Sequence, residues 1–93
     1  MTTIPRQSQH LLVTQAGDEI VLHDPRSETV HVLNPTAALV WNLCDGRHTL
    51  EDAEQAIRAR FAVPSDRDVL ADVRDLLAAL TERGLLETEE ALR

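Results

Sequence analysis

The stretch from Thr29 to Gly46 changes its hydrophobic period from that of a strand to that of a helix, with no loop between the two. Residues 29–33 alternate as a strand with different surroundings on its two faces does. Asn34 then suits the N-cap of a helix, and Pro35 suits its first position, where a missing N–H removes no helical bond. A strand that runs directly into a helix constrains the fold, because both elements must share one core.

The helix that follows is apolar over more than a single stripe, so we expect it at the centre of the molecule. Asp45 and Gly46 end it, since glycine readily takes the left-handed conformation that is common at helix C-termini. Its apolar residues are Ala37, Leu39, Val40, Trp41, Leu43 and Cys44.

Length and composition allow one aliphatic core. The chain has 93 residues, of which 43% are hydrophobic and only 2% aromatic, and its formal net charge is −7. Nucleic acids and anionic membranes both need clustered Lys and Arg, so neither is expected as a partner. No stretch approaches the ~20 apolar residues of a membrane span, and one cysteine cannot close an internal disulfide. We therefore expect a cytoplasmic protein.

Three short strands precede the central helix and predict a small antiparallel meander. They are expected at residues 11–14, 19–23 and 29–33, with turn-forming residues between them. Three strands this short need a covering layer of helices.

Two further helices supply that layer. Thr49 is an N-cap candidate for the first, which Val63 and Pro64 stop, and Ser65 is an N-cap candidate for the second, which Gly84 ends. The predicted apolar face of the first is Leu50, Ala53, Ile57 and Phe61, and that of the second is Val69, Val73, Leu76 and Leu80. The fold class is thus α+β, with a three-stranded antiparallel sheet followed by three α-helices.

The domain organisation follows from the polar ends of the chain. Residues 1–10 are predicted to be a flexible N-terminus, residues 11–87 a single domain, and residues 88–93 a polar C-terminal tail.

No pattern of catalytic or metal-binding residues stands out. Zinc sites need paired ligands at fixed spacing, and the soft ligands of this chain show no such pairing. A domain this small also has little volume for a concave catalytic pocket. We expect neither a cofactor nor a metal nor enzymatic activity. The soft ligands considered are His10, His23, His31, His48 and Cys44.

Binding by a surface remains, and two kinds of partner are considered. The last two helices resemble a helix-turn-helix pair beside a sheet, so a winged-helix transcriptional regulator that binds DNA is one alternative. However, the recognition helix would open with Asp66, Asp68 and Asp72, which phosphates repel, and only Arg67 and Arg74 oppose that repulsion.

The other partner is an extended peptide. If residues 29–33 form an edge strand, a peptide can add to it as a further strand, with main-chain hydrogen bonds of ~0.5–1.5 kcal/mol each. The surplus apolar flank of the last helix, Leu70, Val73 and Leu77, would lie beside it. The same edge could instead pair with a copy of itself and give a homodimer.

A set of residues in order and spacing resembles the PqqD-like group of RiPP recognition elements, which chaperone precursors of ribosomally made, modified peptides. The resemblance spans residues 20–87 and suits a free-standing member of the group. The residues that carry it are Val32-Leu33-Asn34, Ala38, Trp41, Asp45-Gly46, Thr49, Asp72-Val73, Leu77, Leu80 and Gly84-Leu85-Leu86.

This resemblance implies a winged-helix-like fold and a function. Members bind the leader segment of a precursor peptide as an added strand on the third strand, in the groove that it makes with the third helix. They then present the precursor to a modifying enzyme or leader peptidase, in pathways to pyrroloquinoline quinone, lasso peptides and other modified peptides. The implied peptide-binding residues are Thr29, Val30, His31, Val32 and Leu33 on the strand, and Val69, Leu70, Asp72, Val73, Arg74 and Leu77 on the helix.

Overall fold

The computed structural model describes residues 3–87, so the predicted polar tail lies outside the described residues. The α+β prediction is confirmed, with three strands followed by three helices. None of the helices within residues 3–87 is long and apolar enough to cross a membrane. In chain order the elements are β1 Leu12–Ala16, β2 Glu19–Asp24, β3 Thr29–Leu33, α1 Pro35–Asn42, α2 Leu50–Arg60 and α3 Val69–Glu82.

The sheet is an antiparallel meander in the order β1-β2-β3, so β1 and β3 are its two edges. Ile20 pairs with Leu33 and Leu22 with His31, and the three aliphatic side chains of these pairs are buried under the helices. The first turn is tighter than predicted. Strand β1 continues to Ala16, and Gly17 takes a positive φ of 65° so that two residues suffice to reverse the chain.

Helix α1 begins as the sequence predicts. The Asn34 side chain accepts the N–H of Ala37 at 2.8 Å, and Pro35 is the first helical residue. Packing against β2, β3 and α2 places the helix at the centre, and Trp41 is only 3% exposed. The regular helix ends at Asn42, and a short turn with Gly46 at a φ of 80° completes the segment.

Helix α2 also begins at its predicted cap. Thr49 and Asp52 form a reciprocal capping box, in which each side chain accepts the backbone N–H of the other residue. On the exposed side, Arg58 donates to Glu54 at 3.4 Å. The helix packs against both α1 and α3.

Helix α3 begins later than predicted, and the N-cap assigned to Ser65 is wrong. Asp68 caps the helix by accepting the N–H of Ala71 at 3.1 Å. The reason lies in a neighbouring helix, because the Arg58 guanidinium donates to the carbonyls of Pro64 and Arg67 and holds this loop out of the helix.

The buried face of α3 also differs by one residue from the predicted stripe. Leu77 is buried and Leu76 is only partly buried, whereas the helical period predicted Leu76 on the core face. At the C-terminal end, Gly84 has a φ of 76°, and the N–H of Leu85 donates to the carbonyl of Leu80 at 3.0 Å. This is the predicted glycine-terminated stop, with Leu85 fully buried.

The N-terminal segment makes more contacts than its polar composition indicates. Ile4 is 2% exposed, and its N–H donates to the carbonyl of His48 at 2.8 Å. Gln7 and Ser8 donate backbone N–H groups to the carbonyls of Cys44 and Leu85. A flexible terminus over residues 1–10 stays a prediction. The hydrogen bonds of Ile4, Gln7 and Ser8 instead attach this part of the segment to the rest of the fold.

Candidate functional site

Strand β3 presents an unprotected edge. Within residues 3–87 it pairs with β2 alone, and it contains neither a charged residue nor a proline that would discourage further pairing. Val30 and Val32 are each 61% exposed on the outer face of the sheet. The edge therefore offers both backbone hydrogen-bonding groups and apolar side chains.

The inner face of β3 is partly covered. Leu33 is buried in the core at one end of the strand, and His31 is half-buried in the middle. The imidazole Nε2 of His31 lies 3.1 Å from the hydroxyl of Thr29, which in turn lies 2.7 Å from that of Ser27. These contacts fix the side chains on the face that a further strand would share.

The predicted residues of α3 divide by burial. Val69, Val73 and Leu77 are buried in the core, whereas Leu70 and Asp72 are half-buried and Arg74 is exposed. Helix α3 packs chiefly against α2. The three buried residues thus pack α3 onto the core. Only Leu70, Asp72 and Arg74 are exposed enough to contact a ligand directly.

Two depressions contain predicted residues of α3. The first, of about 280 Å³, lies where α3 begins, close to the end of β3, and Val69 and Asp72 contribute to it. The second, also about 280 Å³, combines Arg74 and Leu77 with residues 3–5 of the N-terminal segment. Only the first places predicted α3 residues beside the chain that continues from β3.

Several residues of the first depression were missed by the sequence analysis. Phe61 and Val63 follow α2 and were interpreted as the end of its apolar face and as a helix stop. Their aliphatic and aromatic character within an otherwise polar loop was the available signal. The residues concerned are Thr36, Ile57, Phe61, Ala62, Val63, Pro64 and Arg67.

A bidentate ion pair borders this depression. The Arg67 guanidinium donates to both carboxylate oxygens of Asp72, at 2.8 and 2.7 Å. The hydrogen bond to Asp72 raises the pKa of Arg67 further. The Asp72 carboxylate is therefore paired within the chain, which leaves it less available to a basic group of a partner.

The thiol of Cys44 is buried and is not activated as a nucleophile. Burial raises the pKa of the Cys44 thiol to about 12, so the thiolate that a nucleophile requires is not formed at neutral pH. Among residues 3–87, no group of three or more His, Cys, Asp or Glu side chains is placed to hold a metal ion.

A three-stranded sheet with a free edge strand that runs into a bundle of three helices defines a small winged-helix-like binding domain. The family model described as coenzyme PQQ synthesis protein D (PqqD) matches residues 19–86. The chain belongs to this family, which confirms the resemblance seen in its sequence. No curated protein matches the chain significantly.

Two solved structures share the fold over nearly their whole length. TbiB1 in complex with the TbiA(beta) leader peptide has a TM-score of 0.76 and 29% identity, covering 88% of this chain and 94% of the other. A lasso peptide synthetase B1 complexed with the leader peptide has a TM-score of 0.74 and 32% identity, covering 89% of this chain and 96% of the other. Both of these proteins were solved with a leader peptide bound.

Proposed function

We propose that this protein binds the leader segment of a ribosomally synthesised precursor peptide as an added strand on β3. The single observation that carries the proposal is the unpaired, apolar, uncharged edge of β3 in a chain similar to two proteins solved with leader peptides. The peptide-binding residues of the sequence analysis remain part of this proposal, with β3 supplying its backbone and α3 one wall.

The geometry supports recognition through both backbone and side chains. A strand added to β3 places alternate side chains beside Val30 and Val32 on the outer face, and the others beside His31 on the inner face. At the end of β3 the apolar depression bordered by Phe61 and Val69 is open to a side chain of the peptide. Main-chain hydrogen bonds then give affinity, and these neighbouring side chains give selectivity.

In this role the protein is an adaptor and not a catalyst. By holding one end of the precursor, it raises the local concentration of the other end at a modifying enzyme or leader peptidase that has little affinity of its own. We place this role in the cytoplasm, which is in keeping with a single, buried cysteine.

Binding is tested with the leader peptide of a short precursor encoded beside the gene. Labelled with fluorescein, it is titrated with the protein and followed by fluorescence anisotropy, with a scrambled leader as the control. We expect saturable binding of the leader and none of the scrambled peptide. Equal binding of the two, or no binding, contradicts the proposal. Sedimentation with and without leader shows in the same samples whether β3 pairs with a second copy of the chain.

Proline substitutions on the two sheet edges locate the binding strand. Adjacent residues of a strand direct their N–H groups to opposite sides, so one of His31→Pro and Val32→Pro removes a bond to β2 and the other removes a donor from the free edge. Circular dichroism identifies the variant that keeps the fold, and we expect it to lose leader binding.

The matched control is proline on β1, the other edge of the same sheet. Of Val13→Pro and Thr14→Pro, the variant that keeps the fold should bind the leader as the wild type does. Loss of binding in the β1 variant and not in the β3 variant would show that the peptide binds at β1, the opposite edge of the sheet.

A further inference from the structure

We infer that residues 7–10, the N-terminal brace, position α3 relative to β3 and so set the spacing of the peptide-binding site. The inference rests on the proposed function. It concerns Gln7, Ser8 and His10, whose side chains reach three different parts of the fold from four consecutive positions.

The first contact of the brace is with the end of α1. The backbone N–H of Gln7 donates to the carbonyl of Cys44 at 2.9 Å, and its side-chain amide donates to the carbonyl of Trp41 at 2.8 Å. Both carbonyls belong to the last turn of a central helix and its continuation, and the Trp41 carbonyl also accepts the N–H of Cys44 at 3.0 Å. Gln7 thereby attaches the brace to the centre of the molecule.

The second contact is with the C-terminal end of α3. The backbone N–H of Ser8 donates to the carbonyl of Leu85 at 3.0 Å, and its hydroxyl donates to that of Gly84 at 2.9 Å. On the preceding residue, Gln7 forms an antiparallel bridge with Leu86. Ser8 thus bonds the carbonyls of two consecutive residues, Gly84 and Leu85, at the glycine-terminated end of α3.

The third contact is with the end of β2, which pairs with the start of β3. The imidazole Nε2 of His10 lies 3.2 Å from a carboxylate oxygen of Asp24, and both side chains are largely buried. Asp24 ends β2 and pairs with Thr29, the first residue of β3. Ser8 and His10 therefore link the end of α3 to the start of β3, the two walls of the proposed site.

This link adds hydrogen bonds to the packing that holds α3 in the core. Helix α1 packs on β2 and β3, α2 packs on α1, and α3 packs chiefly on α2, while buried side chains of α3 and of the sheet share one hydrophobic core. A peptide that enters as a strand needs β3 and α3 at a fixed separation. Fixing that separation before binding lowers the cost of association.

The test compares Ser8→Pro/His10→Ala with Gln9→Ala, because proline at position 8 removes both the N–H and the hydroxyl that bond the end of α3. Gln9→Ala is a matched control in the same segment, since the exposed Gln9 side chain makes no hydrogen bond among the described residues. Leader affinity is measured by anisotropy and corrected for the folded fraction. Spin labels on Arg26→Cys and Ala78→Cys, with Cys44→Ala to remove the native thiol, report the distance between the β2–β3 turn and α3.

We expect the double variant to broaden the distance distribution and to weaken leader binding by about tenfold, the result of reducing the competent population to about one tenth. The control should match the wild type in both measurements. His10→Ala alone, which breaks only the contact with Asp24, serves if the double variant does not fold.

A distance distribution unchanged from that of Gln9→Ala overturns the inference, whatever happens to affinity. Unchanged affinity with a broadened distribution also overturns it, because the spacing would then have no bearing on the site. If the wild type binds no leader, the proposed function fails, and the distance measurement still decides whether residues 7–10 hold α3.

Discussion

Strands β1 and β3 are the two edges of one small sheet, yet they differ in how the rest of the molecule holds them. Both carry exposed aliphatic side chains, with Leu12 at 59% and Val13 at 50% on β1, and Val30 and Val32 at 61% on β3. Every residue of β1 is exposed, whereas Leu33 at the end of β3 is buried. Exposure of apolar residues therefore does not by itself distinguish a binding edge.

What distinguishes β3 is that its own last residue enters the core and leads directly into a helix. Leu33 leads through the Asn34 cap into α1, and the turn before Thr29 is held by the buried carboxylate of Asp24. Strand β1 is also held at its start, by the buried Leu11 and by the contact of His10 with Asp24, but no residue of β1 itself is buried. A rigid edge loses less conformational freedom when another strand pairs with it, so β3 is the better template for a peptide.

The largest difference between the edges is expected in stability. Leu33→Ala removes a side chain that is 3% exposed from the core and should lower the free energy of unfolding by about 2–5 kcal/mol. Leu12→Ala on the other edge should change it by no more than about 0.5 kcal/mol. Urea denaturation followed by circular dichroism measures both. Equal losses would show that β1 is as firmly packed as β3.

A smaller difference is expected in leader affinity. Val32→Ser removes an apolar neighbour of the added strand, and cross-strand pairs contribute roughly 0.2–1 kcal/mol, so binding should weaken by about 1.4-fold to fivefold. Leu12→Ser changes a residue on the same face of the sheet, beyond β2, and should leave affinity as it is. Anisotropy titration compares the two. A greater effect of Leu12→Ser would assign the outer face, and not the edge, to the peptide.

Local patterns made much of the fold predictable. The period change at Asn34 and Pro35, the Thr49 cap and the stop at Gly84 each depend on residues close in sequence, and the structure shows all three. The Ser65 cap failed because Arg58, on a different helix, bonds the carbonyls of the loop that follows. Hydrogen bonds from a helix side chain to the carbonyls of a neighbouring loop have no periodicity that would reveal them in the sequence.

The site was predictable only in part for the same reason. Alternation along residues 29–33 separates the outward valines from Leu33, but the sheet order that leaves β3 at an edge is a tertiary property. Leu77 faces the core because α3 packs on α2, which the apolar width of the helix could not specify. The contacts of Ser8 and His10 lie in a polar stretch, where composition alone favours a loose terminus.

The smallest expected difference between the two edges is in how their hairpins respond to low pH. Burial on its own raises the pKa of the Asp24 carboxyl, but hydrogen bonds from His10 and from the backbone N–H of Arg26 outweigh it and hold the pKa below 3.8. A carboxylate whose pKa is lower in the folded state stabilises the fold above its unfolded value, and that contribution is lost as pH falls through the folded value. Asp24 bonds the β2–β3 turn directly through Arg26, whereas its other partner, His10, lies two residues before β1. Below about pH 4 the β2–β3 hairpin should therefore loosen before the β1–β2 hairpin.

Amide hydrogen exchange, expressed as protection factors at a series of acid pH values, measures the two hairpins in one sample. Asp24→Asn is the control, because its side-chain oxygen can still accept the N–H of Arg26 at the position where Asp24 accepts it at 2.9 Å, but it carries no charge to titrate. In that variant the ratio between the protection factors of Thr29 and His31 on β3 and those of the β1 residues should no longer change with pH. Parallel loss of protection in both hairpins of the wild type would mean that the Asp24 carboxylate does not hold β3 differently from β1.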